Sequence, residues 1–273
     1  MKTILVGTDF SAVSRNATVF AAHLASALGA RLVLFHAYNL PTAVTDIAYM
    51  MVSVEEIQKE NEERIKKDAD RIFASFGVEV EWLVRIGIPS EEIKILADEK
   101  NADLVVMAIR GEGASNKFIG STTVNTIQRS KKPVLVVPWP ASFDEIHEIA
   151  YATDYSSPAN TAQLDTLMEI IRSFGAKLHL MHVKNIGKEH GPHDAEAAAT
   201  LDAIFKDTQH DFIIQEAESI MQGINEFTQS NPIQLLVMTL HKHNFFEKLF
   251  GKNYTREVAF ETKVPLLVLR QSA

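Results

Sequence analysis

Short apolar runs alternate with longer amphipathic stretches along the chain. KTILVG at residues 2–7 is a nearly continuous apolar run, short enough for a buried strand. Ser11 to Leu28 then carries apolar residues at helical spacing and stops ahead of Gly29. RLVLFHA at 31–37 predicts a second strand. Ser53-Val54-Glu55-Glu56 has the form of a capping box and predicts the start of a long charged helix reaching about Ser75. VEVEWLV at 78–84 predicts the third strand, Ser90 to Lys100 a helix, and DLVVMAI at 103–109 the fourth strand. A glycine-rich loop, a helix from Gly120 and PVLVVP at 133–138 close the unit. Alternating strands and helices predict a parallel, doubly wound α/β sheet.

The pattern then repeats. Ile4 meets Ile149, Thr8-Asp9 meets Thr153-Asp154, Ser11 meets Ser156, and His36 meets His182 after one insertion. Met107 pairs with Met238, Lys117 with Lys248, Gly120 with Gly251 and Pro133 with Pro265. Two homologous domains follow, residues 1–140 and 145–273, joined near Trp139–Asp144. The second copy predicts helices near Pro158–Phe174, Ala195–Phe205, Glu218–Ser230 and Asn253–Thr262.

Composition narrows the classes. The chain has 273 residues, 46% hydrophobic and 23% charged, which is ample for a soluble core. A formal charge of -8 argues against a nucleic-acid partner. The absence of cysteine excludes disulfides, thiolate metal sites and a cysteine nucleophile. MKTILVGTDFS lacks a signal-peptide core, and no apolar run is long enough to span a bilayer. A cytoplasmic protein with no membrane partner is expected.

In doubly wound sheets ligands sit at the carboxyl ends of strands. That singles out the loop Gly7–Ser11 and the loop Ala108–Asn116, which runs into Gly120-Ser121-Thr122-Thr123. Glycines admit close backbone approach, a helix N-terminus attracts phosphate, and Ser121 and Thr122 add hydroxyl donors. The bland alternative is an ordinary capped connection. Asp9 is read either as a cap or turn residue or as a polar clamp near a nucleoside. His36 and His182 are expected as satisfied core histidines. His190, His193, His241 and His243 invite a metal reading, but their spacing fixes no carboxylate partner, and no metal is expected. No GxxxxGK[ST] or GxSxG is present, and Gly111-Glu-Gly113-Ala-Ser-Asn116 ends wrongly for a dinucleotide fingerprint. No nucleophile–base constellation is placed, so at most slow ATP hydrolysis is expected.

On VGTDFS, LVLFHA, ADLVVMAIRG, the Gly120-Ser121 helix start and KPVLVVP, the chain resembles the universal stress protein family in its tandem two-domain form. The resemblance implies two flavodoxin-like (adenine nucleotide alpha hydrolase-like) domains. Each would be a five-stranded parallel sheet flanked by helices, and the two would pack as an internal pseudo-dimer through their final strands. It also implies a stress-response protein binding ATP, ADP or AMP, with magnesium only as a companion of the nucleotide. The family's nucleotide binders carry G-x2-G-x9-G-[ST]. Here Ala108 stands for the first glycine, Gly111 matches the second, Gly120-Ser121 match the end, and the spacer Glu112–Ile119 is one residue short. Adenine and ribose contacts would fall on Asp9 and the backbone near Ala37, and Met107 precedes the loop in the family's manner. The implied site is Thr8, Asp9, Ala37, Met107, Ala108, Gly111, Gly120, Ser121 and Thr122. In the second half Thr239, Lys242 and Lys252 replace the two glycines and the serine, beside Phe245, Phe246 and Phe250. That half reads as a degenerate domain kept for packing, with an anion site on Lys242, His243 and Lys252 as the sharper alternative. Partners would be the nucleotide in the N-terminal half and a second copy or another protein. The competing class is a non-nucleotide-binding interaction or scaffold module of the same fold.

Overall fold

The computed structural model describes residues 1–40, 47–109, 120–153, 161–186, 194–240 and 263–270. The chain divides into two compact units that part between Phe143 and Asp144. Each is a five-stranded parallel α/β sheet with helices, of flavodoxin-like kind.

The first unit runs β1 (Thr3–Gly7), α1 (Ala12–Leu28), β2 (Arg31–Tyr38), α2 (Ile47–Phe76), β3 (Val80–Ile86), α3 (Pro89–Glu99), β4 (Leu104–Ala108), α4 (Ser121–Arg129) and β5 (Val134–Val137). The sheet order is β3-β2-β1-β4-β5. Val6 lies between Leu34 and Val106, and Met107 is in register with Val136. All five residues of β1 are buried, as a central strand covered on both faces requires. α1 starts at Ser11, whose side chain accepts from the Ser14 N–H, and ends at Gly29 in the left-handed conformation (φ 60°). Between those caps Ala17, Ala21, Ala22 and Ala25 are buried, and their small side chains let the helix lie close to the sheet.

Two boundaries differ from the expectation. α2 begins at Ile47, so Ser53 lies inside it and caps nothing. Ala48, Met50 and Met51 are good helix formers, and one serine does not interrupt a helix already propagating. β3 begins at Val80 rather than Val78. Gly77 (φ 66°) ends α2, and the next two residues make the turn, with the Glu79 carbonyl already accepting from Leu32 N–H.

The second unit runs β6 (Glu148–Ala152), α5 (Thr161–Phe174), β7 (Lys177–Asn185), α6 (Asp194–Phe205), β8 (His210–Ala217), α7 (Ile220–Ser230), β9 (Leu235–Leu240) and β10 (Leu266–Arg270). Its order is β8-β7-β6-β9-β10. Gly175 repeats the left-handed stop of Gly29, with φ 62°. The expected start at Pro158 and the expected helix Asn253–Thr262 lie outside the described residues.

Candidate functional site

In the first unit the strand order reverses between β1 and β4, because the chain builds β2 and β3 on one side of β1 and β4 and β5 on the other. A doubly wound sheet opens a crevice at the carboxyl ends of the strands there. A cleft of about 190 Å³ occupies that place.

Its floor is set by Gly7, where a Cβ would come 2.9 Å from Met107 Sδ and 3.2 Å from Ile93 Cδ1. Beyond it, Thr8 extends the ladder by donating its N–H to the Phe35 carbonyl (2.8 Å). Thr8 Oγ1 and Ser14 Oγ share a hydrogen bond of 3.1 Å, and Thr8 Oγ1 also accepts from Phe10 N–H (3.1 Å). Asp9 is exposed and its Oδ1 accepts the Ser11 N–H at 3.0 Å. Asp9 is therefore a turn residue and Ser11 the cap. Burial pushes the Asp9 carboxyl up, but hydrogen bonds from Ser11 and Ser14 outweigh it and hold the group below the usual aspartate value of 3.8. It presents an acceptor-only carboxylate at neutral pH.

His36 is buried and its Nδ1–H donates to the Thr8 carbonyl at 2.8 Å. His182 makes the same bond to the Thr153 carbonyl at 3.0 Å. Both are satisfied structural histidines, as expected. Burial pushes the His36 imidazole below its ordinary value of 6.5, with Arg64 adding to this and Asp9 opposing it. The unfolded chain therefore takes up this proton more readily than the fold does. The ring's contribution to stability is complete above about pH 6.5 and is lost as the pH falls through that value towards the lower folded-state one. His36→Gln is expected to cost about 1 kcal/mol at neutral pH for the weakened bond. It should also flatten the fall in melting temperature between about pH 7.5 and 5.5. A melting profile against pH with the wild-type slope would refute this.

The seven expected residues Thr8, Asp9, Ala37, Met107, Ala108, Gly120 and Thr122 all line this cleft. Ser121 opens α4 beside it without being part of the lining. Gly111 lies outside the described residues, with Arg110, Gly113 and the rest of the loop. Sequence reasoning missed the walls: Val13 and Ser14 from α1, Phe35 from β2, and Pro89 and Ile93 from α3. Nothing local to Pro89 or Ile93 signals the strand ends they face. Ala108 takes no positive φ, so its side chain strains nothing, and its carbonyl accepts from Thr123 Oγ1 at 3.0 Å. Gly120 caps α4 with no side-chain hydrogen bond. Glycine has no side chain with which to cap the first N–H groups of the helix.

The cleft thus gathers a carboxylate acceptor, apolar side chains and the start of a helix. A complementary ligand carries a hydrogen-bond donor, a weakly polar body and an anion.

In the second unit Tyr151 Oη and Thr239 Oγ1 share a hydrogen bond of 2.8 Å. His179 sits between Glu148 Oε2 (2.6 Å) and Asp211 Oδ1 (2.7 Å), and Lys177 Nζ reaches Asp211 Oδ2 at 2.7 Å. Asp154, His190, His193, His241, Lys242, His243, Phe245, Phe246, Phe250, Gly251 and Lys252 lie outside the described residues. Among the described residues no group of three or more histidines and carboxylates could hold a metal ion. No described helix is long and apolar enough to cross a membrane.

The sequence profile of the universal stress protein family matches this chain twice, over residues 1–138 and 145–270. The universal stress protein Slr1230 of Synechocystis is 24% identical, across 99% of this chain and 100% of its own. A universal stress protein of Thermus aquaticus is 36% identical over 50% of this chain and 98% of its own length. The crystal structure of a universal stress protein from Archaeoglobus fulgidus shares the fold, with a TM-score of 0.79 at 19% identity over 99% of this chain and 98% of that one.

Proposed function

The chain belongs to the universal stress protein family, and we propose that its first unit binds an adenine nucleotide, ATP, ADP or AMP, in the cleft at the ends of β1, β2 and β4. The observation that carries this reading is the set of groups gathered in the cleft: the Asp9 carboxylate, the apolar side chains of Ala37, Ile93 and Met107, and the start of α4 at Gly120. Asp9 and the backbone near Ala37 would take the base and ribose. The Gly120–Thr122 N–H groups and hydroxyls would take phosphate. Magnesium would enter with the phosphates. Among the described lining residues Asp9 is the one titratable side chain, so the reading is of a binder acting through conformation or a protein partner. It would work in the cytoplasm, as a homo-oligomer or with another protein.

The test is calorimetric titration of the full chain with ADP, alongside release of any carried nucleotide by heat or acid. One nucleotide per chain is expected, in the first unit, because the second has Thr239, Lys242 and Lys252 in place of the first two glycines and the serine of the phosphate loop. Two per chain, or one lost on Lys252→Ser and untouched by changes at Gly120, would put the site in the wrong half. No binding at all would favour the scaffold class. Ser121→Ala is expected to weaken binding about tenfold, the loss of one hydrogen bond to an anion. An unchanged dissociation constant would remove that hydroxyl from the site.

A further inference from the structure

The turn that displays Asp9 is built on an unusual residue. Phe10 has φ 62°, the left-handed region that bulky side chains rarely adopt. Glycine would take this conformation freely, yet an aromatic residue stands there. Its side chain is buried, 5% exposed, while Asp9 beside it is open to solvent. The ring lies 4.4 Å from the His36 ring of β2, and the Arg64 guanidinium of α2 sits 4.6 Å above its centroid. Its N–H donates to Thr8 Oγ1, which is itself tied to Ser14 of α1. Strand, turn and two helices therefore meet on one residue, and its left-handed backbone sends neighbouring side chains in opposite directions.

We infer that Phe10 is a positioning residue: its left-handed backbone and anchored ring hold the Asp9 carboxylate at the mouth of the cleft. This rests on the nucleotide reading for its functional consequence, but the geometric claim stands apart from it. Phe10 does not line the cleft, so it acts on a ligand only through Asp9. A ring that merely filled the core would affect stability alone.

The experiment has two arms. The first follows the Asp9 carboxyl carbon by NMR titration in the wild type, Phe10→Ala and Phe10→Gly, with no ligand present. The wild-type group titrates below 3.8 because the turn keeps it hydrogen-bonded to Ser11 and Ser14. Loss of the ring is expected to free the turn and bring the titration up towards that value in both variants. Phe10→Leu, which fills the space without an aromatic face, serves if the smaller variants fail to fold. The second arm is a double-mutant cycle read by ADP affinity. Phe10→Gly is expected to weaken ADP about tenfold in the wild-type background and less than about twofold in an Asp9→Ala background. An Asp9 titration unmoved by all three substitutions, or an equal loss of ADP affinity in both backgrounds, overturns the inference. If the wild type binds no ADP, the nucleotide reading falls and the titration arm still decides the role of Phe10.

Discussion

Gly120→Val is expected to lower adenine-nucleotide affinity at least a hundredfold, roughly the loss of two charge-assisted hydrogen bonds, while leaving the protein folded. Gly120 has φ -59° and ψ 144°, an extended conformation open to any residue. A Cβ there meets nothing within 4 Å among the described residues. Among the described residues there is therefore room for the new side chain, and its cost is the poorer capping of valine, on the order of 1 kcal/mol. A phosphate does not have that room. The N–H groups of the first turn of α4 point past residue 120, and an isopropyl group there keeps an anion from hydrogen-bonding distance. Calorimetry with ADP, with circular dichroism to confirm folding, decides it. Wild-type affinity in the folded variant would take the start of α4 out of the site.

The second large effect is on stability and falls in the other unit. Gly223 lies within α7, where a Cβ would come 2.6 Å from Val183 Cγ1, 3.0 Å from its Cγ2 and 3.2 Å from Gln215 Cγ. Gly223→Ala raises helix propensity by about 1 kcal/mol. Against that, the methyl meets a β-branched side chain on a buried strand, which has no free rotamer to yield. The helix cannot retreat without uncovering Met221, Ile224 and Phe227, all buried. Overpacking of this kind costs up to about 3 kcal/mol, so a net loss of about 2 kcal/mol is expected. Thermal unfolding should show it, and Val183→Ala in the same chain should recover part of it. A Gly223→Ala protein as stable as the wild type would mean that the helix and strand are not so closely seated.

Much of this was legible from residues alone, for identifiable reasons. β1, β2, β4 and β5 are covered on both faces, so their buried runs stand out as uninterrupted apolar segments. Gly29 and Gly175 mark helix ends because the left-handed conformation there suits glycine. The first candidate loop was visible because Gly7–Ser11 follows the first apolar run, at the carboxyl end of a predicted strand. The roles within it were not. Thr8, Asp9 and Ser11 all carry oxygens able to cap a helix, and only the backbone path gives the cap to Ser11 and the turn to Asp9. The start of α2 was obscured because residues 47–52 are apolar without a polar face, which leaves no helical period to read. The apolar wall from α3 is a product of tertiary packing, since nothing local to Pro89 or Ile93 states which strand ends they face. Phe10 was passed over because a positive φ at an aromatic residue has no sequence signature.

The length of α2 carries one more consequence. Tyr38, at the end of β2, donates its hydroxyl to Gln58 Oε1 at 2.9 Å, so Gln58 marks where the helix passes the end of the strand. Residues 47–57 then run on beyond it for about 16 Å, at 1.5 Å per residue. Arg64, where α2 bears on Phe10, lies about 25 Å along the helix from Ile47. A tilt of roughly 10° about Arg64 would carry Gln58 through about 1.5 Å and the tip of the helix through about 4 Å. A change slight enough to go unnoticed beneath the turn at Asp9 becomes a displacement of atomic-diameter scale at the far end of the rod.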